Sequence, residues 1–256
     1  MDCIKIQESN EGQVAEIILN RPPANIISAE MMAQIENAVT ELSRSPSRKC
    51  IVISGDGSQF SYGASVEEHR PAIVDVMLPG FHRMIGVLLK CNVLLIGKVR
   101  GLCLGGGFEL ALACGALFAE ENARFGVPEI QLGVFPPVAA ALLPFLCGST
   151  RATEIILTGG KYSASAMRDF GLVNKVAGCE DLDQVVNEFI STNLLPRSAS
   201  SLRIALRASR GALSEEYDRR IQFLEKLYLK ELMATEDACE GILAFTEKRR
   251  PQWRNR

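Results

Sequence analysis

Histidine is scarce in this sequence of 256 residues, and the usual metal-binding patterns are missing. Neither His69 nor His82 belongs to a Ser/His/Asp or metal-ligand arrangement, so nucleophilic-triad chemistry is disfavoured and both are assigned to packing or surface positions. The eight cysteines form no CxxC pair and no cluster with histidine. A zinc site and a redox dithiol are therefore not indicated, and we expect the thiols to be small buried hydrophobes in a reducing compartment.

The sequence also has no concentrated basic patch. Its 28 Lys and Arg residues and 30 Asp and Glu residues are spread along the chain and give a formal net charge of -2. This distribution offers no electrostatic footprint for nucleic acid or anionic lipid. No apolar signal segment begins the chain, and the most apolar stretch, Gly101 to Ala119, contains Glu109 and several glycines. We expect a cytoplasmic protein with neither a nucleic-acid nor a membrane partner.

A Rossmann-type glycine fingerprint is absent after the first predicted strand, which disfavours a dinucleotide fold. Apolar periodicity instead predicts a hairpin, then alternating strands and helices, then mainly helices after residue 137. We expect a core over residues 1–195 and a C-terminal helical region over residues 196–256. The predicted elements that can be compared with the structure are Ile4–Gln7, Val14–Leu19, Ser28–Ser43, Cys50–Ser54, Val74–Lys90, Asn92–Val99, Ser198–Arg210, Ser214–Met233 and Glu236–Lys248.

Three consecutive glycines, Gly105 to Gly107, join a predicted strand to an apolar helix. Glycine allows another group to approach the backbone closely, and the first turn of a helix leaves N–H groups unpaired. Such a turn can stabilise a carbonyl oxygen that becomes an oxyanion. Tight packing of the strand against the helix is the alternative explanation.

Two glutamates accompany this glycine turn. Glu109 would be costly to bury in its apolar helix without a partner or a purpose, and Glu129 follows Pro128 in a short turn. Two carboxyls in one apolar site repel each other, so that one stays protonated while the other ionises. An acid and a base can thus come from one residue type. A solvated surface position for Glu129 is the alternative.

Several segments, in the same order, resemble the crotonase (enoyl-CoA hydratase/isomerase) family along nearly the whole chain. Phe60 to Ser65 is similar to the family's first oxyanion loop, Leu104 to Glu109 to its second, and Pro128-Glu129-Ile130 to the segment of its second acid. The other matching segments are Leu19–Asn25, Leu157–Gly160, Gly171–Val173 and Glu240–Arg249.

The resemblance implies an α/β (α+β) fold, a crotonase/ClpP-like spiral of ββα units with a C-terminal helical region that forms a homotrimer or a homohexamer. It also implies an acyl-CoA thioester as the substrate, coenzyme A being part of that substrate, and no metal or other cofactor. The site residues that it assigns are the catalytic Glu109 and Glu129, the oxyanion donors Ala64 and Gly106, and the substrate-binding residues Ser61, Tyr62, Gly63, Ser65, Val66, Gly105, Phe135, Pro136, Phe245 and Lys248.

Two features depart from the common pattern of the family. Ser65 replaces an aspartate that usually follows the oxyanion alanine, and Gly133 to Pro144 replaces a glycine-rich stretch. The segments Phe60 to His69 and Val134 to Val138 and the ending Arg250 to Arg256 most resemble the subfamily that hydrates cyclohexa-1,5-diene-1-carbonyl-CoA in anaerobic benzoyl-CoA breakdown. A straight-chain enoyl-CoA hydratase or isomerase is the alternative, and a non-catalytic acyl-CoA- or RNA-binding homologue is a more distant one.

Overall fold

A computed structural model describes residues 2–69 and 73–256, apart from the side chains of Glu67 and His69. It has two β-sheets with helices packed around them. The strands are β1 (Ile4–Ser9), β2 (Val14–Leu19), β3 (Cys50–Gly55), β4 (Leu94–Val99), β5 (Leu102–Leu104), β6 (Ala116–Glu120), β7 (Arg124–Gly126), β8 (Tyr162–Ser163) and β9 (Lys175–Ala177). The helices are α1 (Ala29–Ser43), α2 (Val74–Lys90), α3 (Gly106–Leu112), α4 (Pro137–Cys147), α5 (Ser149–Thr158), α6 (Ala164–Asp169), α7 (Leu182–Phe189), α8 (Ala199–Lys226) and α9 (Glu236–Thr246).

The larger sheet has the strand order β1-β2-β3-β4-β6-β9. β1 and β2 form the predicted antiparallel hairpin, and every later neighbour pairs in parallel. Parallel strands are covered on both faces, which explains why Cys50 to Ser54 is buried throughout. Ile51 and Ile53 belong to the main apolar core, whereas Cys50 and Val52 face the opposite side of the sheet. On that side, α7 completes a second apolar cluster.

The smaller sheet has the strand order β5-β7-β8. Repeatedly along the chain, a strand of the larger sheet leads within a few residues to a short strand of the smaller one: β4 leads to β5, and β6 leads to β7. Ser61, which follows β3, pairs in parallel with Cys103 of β5 and so extends the smaller sheet. These successive turns are the predicted spiral. The carboxyl ends of residues 61–64, β5 and β7 lie at one edge as a result.

Two parts of the predicted secondary structure were wrong. We expected the apolar stretch Gly101 to Ala119 to form a strand, a loop and a helix. In the structure the helix ends at Leu112, and a further strand, β6, follows it. Short apolar runs do not distinguish a buried strand from a buried helix, and this ambiguity caused the error. The two helices predicted at Ser198–Arg210 and Ser214–Met233 are largely one helix, α8, which is continuous through Gly211.

A buried stripe on α8 accounts for its continuity. The buried side chains occupy positions three or four residues apart and belong to the main core, so packing compensates for the glycine. These residues are Leu213, Tyr217, Ile221 and Leu224. The division of the chain at residue 195 stays a prediction.

Cysteine burial agrees only in part with our expectation. Cys3, Cys50, Cys103 and Cys114 are buried, but Cys239 is exposed and the remaining three are partly exposed. All eight thiols are free. No helix within residues 2–69 and 73–256 is long and apolar enough to cross a membrane.

We expect Ser28→Ala to lower the free energy of unfolding by about 1 kcal/mol, because Ser28 caps α1. Its Oγ accepts a hydrogen bond from the N–H of Met31 at 3.3 Å. Urea unfolding followed by circular dichroism would measure the change. Ser43→Ala is the control, since the exposed Ser43 hydroxyl only donates to the Thr40 carbonyl of the same helix. An equal loss of stability in both variants would contradict the assignment of the cap.

Candidate active site

The turn before α3 presents an unpaired N–H group. Gly105 has φ +51°, a left-handed value that favours glycine, and its N–H donates to the Gly126 carbonyl at 2.8 Å. The Glu109 N–H donates back to the Gly105 carbonyl at 3.0 Å and so closes the first turn of the helix. The Gly106 N–H has no acceptor among the described residues. It is therefore free to donate to a ligand.

The loop that contains Ala64 is held by Ser61. The Ser61 Oγ donates to the Asn25 carbonyl at 2.8 Å and accepts from the Gly63 N–H at 3.0 Å. On either side of Ala64, the Gly63 carbonyl and the Ser65 N–H pair with the backbone of Ile27. The Ala64 N–H is left without an acceptor in the described part of the chain. Ser61 thus acts as a support for the loop.

The two turns are in direct contact. A β-carbon added to Gly106 would lie 3.1 Å from the Ala64 nitrogen, and one added to Gly107 would lie 2.7 Å from the Ser61 β-carbon. The contact at Gly107 leaves no room for a side chain, and a side chain on Gly106 would require Ala64 to move. The tight packing that the sequence offered as the alternative explanation is present, and it is compatible with an oxyanion site. The backbone approach brings both free N–H groups to one place.

Glu109 is 4% exposed on α3. Its Oε1 accepts the N–H of Ala139 at 2.8 Å, at the N-terminus of α4. Burial raises the pKa of Glu109 to about 7, although hydrogen bonds from the backbone N–H groups of Ala139 and Val138 act in the opposite direction. The helix N-terminus therefore stabilises the carboxylate, but only in part.

Glu129 lies against the glycine turn from the other side. It belongs to the 3-10 turn Pro128–Leu132, and a β-carbon on Gly105 would lie 2.8 Å from its Oε1. Its Oε2 is buried and has no hydrogen-bond partner in the described structure. Burial, and next the charge of Glu109, raise the pKa of Glu129 well above its ordinary value. The alternative of a solvated surface glutamate does not hold.

One cavity contains both acids and both donor turns. Ten of the predicted site residues line it: Tyr62, Gly63, Ala64, Val66, Gly105, Gly106, Glu109, Glu129, Phe135 and Pro136. Four do not, namely Ser61, Ser65, Phe245 and Lys248. Phe245 and Lys248 are exposed near the end of α9, where Ile242, one turn earlier, lines the cavity.

The sequence did not identify several further residues of the cavity wall. Each lies in a helical segment, where the sequence alone does not distinguish a side chain that lines a cavity from one in the ordinary core. These residues are Met77, Leu78, Phe81, Leu132, Tyr228 and Ile242. The spacing of Met77, Leu78 and Phe81 along one face of α2 was a usable signal for burial. Nothing in the sequence marked Tyr228.

The C-terminal segment, residues 249–256, supports the turn that carries Glu129. The Arg249 guanidinium forms a two-point ion pair with Glu240 on α9, and the Glu236 N–H donates to the Arg256 carbonyl at 2.9 Å. Trp253 packs where α9 meets the end of the Glu129 turn. A β-carbon on Gly133 or on Gly241 would lie about 3 Å from its ring, at 3.2 and 3.0 Å respectively.

The histidines take no part in this site as far as the structure describes them. His82 is buried, and its Nδ1 lies within hydrogen-bonding distance, 2.7 Å, of an Oε of Glu225. It is not among the residues that line the cavity. The side chain of His69 lies outside the described structure. Across residues 2–69 and 73–256, no three His, Cys, Asp or Glu side chains are grouped to hold a metal ion.

Comparison with known proteins gives the family. A family model described as enoyl-CoA hydratase/isomerase matches residues 9–256. The chain belongs to the enoyl-CoA hydratase/isomerase family. The prediction of the crotonase family and fold is confirmed, and with it that of an enzyme of the hydratase type.

Three family members show how similar the relatives are. The chain is 38% identical over 253 residues to the cyclohexa-1,5-dienecarbonyl-CoA hydratase of Thauera aromatica, which covers 99% of this chain and 97% of the relative. It is 34% identical over 249 residues to a probable enoyl-CoA hydratase of Mycobacterium bovis, covering 96% of each. The crystal structure of an enoyl-CoA hydratase from Mycobacterium avium subsp. paratuberculosis superposes with a TM-score of 0.88 at 25% identity, covering 100% of both chains.

We expect Gly107→Ala to lower kcat/KM by about 10²-fold or more, because the added methyl group would push the Ser61 loop away from α3 and separate the two N–H donors. Steady-state kinetics with an enoyl-CoA thioester would measure the loss. Gly211→Ala is the matched control, since a β-carbon at Gly211 meets nothing within 4 Å. Its activity should be unchanged. Full activity of Gly107→Ala would show that the contact does not set the donor geometry.

Proposed function

We propose that this enzyme adds water to cyclohexa-1,5-diene-1-carbonyl-CoA and forms 6-hydroxycyclohex-1-ene-1-carbonyl-CoA. The observation that carries the proposal is the meeting of two free N–H groups and two buried carboxyls in one apolar cavity. The named relative from Thauera aromatica supports the choice of acyl group.

The free N–H groups of Ala64 and Gly106 hold the thioester carbonyl oxygen. When water attacks the β-carbon, electrons move onto this oxygen and an enolate forms. Preorganised N–H donors stabilise that charge without further rearrangement, and in a site that excludes water their effect is large. Because the diene is conjugated with the carbonyl, the enolate extends over the ring. Protonation at the γ-carbon then gives net 1,4-addition of water.

The two glutamates divide the proton transfers. Glu109 accepts the Ala139 N–H, which stabilises its ionised form, whereas the unpartnered Oε2 of Glu129 and the charge of Glu109 favour a proton on Glu129. In this assignment Glu109 takes a proton from water and Glu129 delivers one to carbon. One water is added, the pair keeps one proton in total, and dehydration uses the same groups in reverse. Coenzyme A enters as part of the substrate, and the steps use no other cofactor.

The shape of the acyl pocket supports a compact ring. Its wall combines the Phe135 ring, packed edge to face on Tyr228 at 5.4 Å, with Pro136 and Pro137 at the start of α4. Aromatic and proline side chains are stiff, so they form a pocket of fixed shape. The second candidate, a straight-chain enoyl-CoA hydratase, is favoured by the similarity to the Mycobacterium bovis protein and would use the same four groups.

Two further parts of the proposal concern the outside of the molecule. The exposed Phe245 lies in the last turn of α9 and the exposed Lys248 just after that helix, both past the cavity-lining Ile242, and we assign them to contacts with the nucleotide end of coenzyme A. A homotrimer or homohexamer in the cytoplasm is the proposed state. Sedimentation measurements would test the assembly.

We expect the wild-type enzyme to have a kcat/KM for the cyclic dienoyl thioester at least about 10²-fold above that for crotonyl-CoA. Glu109→Gln and Glu129→Gln should each lower the rate by about 10² to 10⁴-fold, because each removes a proton-transfer group. Absorbance assays with both thioesters would measure these rates. Crotonyl-CoA as the better substrate would support the straight-chain candidate. Undiminished rates in both variants would refute the mechanism.

We expect Glu109→Gln to lower the pKa of Glu129, because it removes a neighbouring negative charge that raises that pKa. The remaining burial should keep the pKa above its ordinary value. Carbon-13 NMR titration of labelled glutamate carboxyls would measure the shift. Glu41→Gln, an exposed change on α1, is the control and should leave Glu129 unaffected. An unchanged Glu129 pKa in Glu109→Gln would show that the carboxyls do not interact.

A further inference from the structure

Tyr228 is a buried polar residue in the cavity that the proposed mechanism does not use. It is 1% exposed, and its hydroxyl has no hydrogen-bond partner in the described part of the protein. Tyr228 lines the same cavity as Glu109 and Glu129. A buried hydroxyl without a partner is destabilising, which points to a bound molecule that hydrogen-bonds to it.

The helix is distorted at this residue. α8 ends at Lys226, and residues 227–231 continue it as one wider π-helical turn. Such single turns disturb the regular hydrogen bonding of a helix and often occur at functional sites. Here the turn includes Tyr228, whose ring packs against Phe135 of the cavity wall.

Tyr217 provides a comparison within the same helix. It is also buried, at 2% exposure, but its hydroxyl donates to the His82 carbonyl at 2.8 Å. Tyr217 is therefore satisfied by the protein itself. Tyr228, eleven residues further along, is not. The difference points to a ligand as the partner of Tyr228.

The charge of the surroundings limits what this hydroxyl can do. Burial, followed by the charges of Glu129 and Glu109, raises the pKa of the Tyr228 phenol above its ordinary value. The phenol consequently keeps its proton at neutral pH. It acts as a hydrogen-bond donor to an oxygen, while a role as a base is excluded by the same charges.

A second unpartnered group lies in the same cavity. The Oε2 of Glu129 is also buried without a partner. A water molecule that accepts from the Tyr228 hydroxyl has its own hydrogens free for the two glutamates, and a buried water takes two to four polar partners. About 80 Å³ of the cavity is open to the centre of a water molecule, against the roughly 10–15 Å³ that one water needs.

We propose that Tyr228 is a positioning residue whose hydroxyl donates a hydrogen bond to the oxygen that is added to the acyl group, first as water and then as the hydroxyl of the product. This inference rests on the proposed hydration at the same site. Tyr228 transfers no proton: the water proton goes to one glutamate, and the other glutamate delivers a proton to carbon. The hydrogen bond fixes the water at one face of the ring and selects products with an oxygen there.

Tyr228→Phe tests the proposal, with Tyr217→Phe as the matched control. Binding is measured by calorimetry for two thioesters that differ by one oxygen, 6-hydroxycyclohex-1-ene-1-carbonyl-CoA and cyclohex-1-ene-1-carbonyl-CoA. Tyr228→Phe should weaken binding of the hydroxylated thioester about tenfold, the effect of one hydrogen bond, and change binding of the other less than about twofold. kcat for hydration should fall by a similar factor.

Thermal unfolding separates this role from a structural one. Tyr228→Phe should leave the Tm of the unliganded protein unchanged or raised, because it removes an unsatisfied group. Tyr217→Phe should lower it by about 2–4 °C, because it breaks an internal hydrogen bond, and should leave discrimination between the thioesters unchanged. Equal weakening of both thioesters by Tyr228→Phe, unaltered binding of both, or a lowered Tm would each overturn the proposal.

Failure of the proposed function would give a different result. In that case the wild-type enzyme would not hydrate the cyclic diene, whatever residue occupies position 228. The role of Tyr228 would then be measured with 3-hydroxybutyryl-CoA and butyryl-CoA, which again differ by one oxygen. Selective loss of binding to the hydroxylated member would support it, and loss of neither or of both would refute it.

Discussion

The contact between the Ser61 loop and the glycine turn before α3 is the constraint on which this site depends. Two backbone segments meet so closely that Gly107 has no room for a β-carbon and Gly106 could take one only if Ala64 moved. This contact is possible because residues 61–64 extend the smaller sheet alongside β5, so their carboxyl ends reach the same edge. β7 ends at that edge as well, and the turn after it supplies Glu129. The ladder of short strands thus assembles the whole site.

Burial of the two carboxyls opposes stability and supports reactivity. Both Glu109 and Glu129 have raised pKa values, so the folded protein binds protons that the unfolded chain releases. The contribution of these carboxyls to the free energy of unfolding therefore falls as the pH rises. The fall begins at the ordinary carboxyl pKa, about 4.3, and for Glu109 it extends through its raised pKa of about 7. The remainder of the core, which includes the C-terminal helices, compensates for this cost.

The sequence predicted the parts of the site that depend on backbone chemistry. Consecutive glycines at 105–107, a carboxylate in an apolar helix and an X-Pro-Glu turn each have a local physical cause, and the structure brings them together. The hairpin and α2 also agree with their apolar periodicity. The continuity of α8 could not be predicted, because it depends on contacts with α2 and α4 that are distant in the chain. The place of Tyr228 in the cavity wall could not be predicted either, because its ring packs against the distant Phe135. The strand β6 was missed because four buried residues fit a helix equally well.

The support of the Glu129 turn by residues 249–256 has a consequence for biosynthesis. Trp253 and the backbone of Arg256 hold α9 against this turn, although they lie more than 100 residues after Glu129. A ribosome-bound chain can complete its sheets and its glycine turn before these residues emerge from the exit tunnel. Glu129, however, would acquire its final support only after residues 249–256 have left the exit tunnel. The final arrangement of the two buried carboxyls therefore forms later than the sheets that carry them.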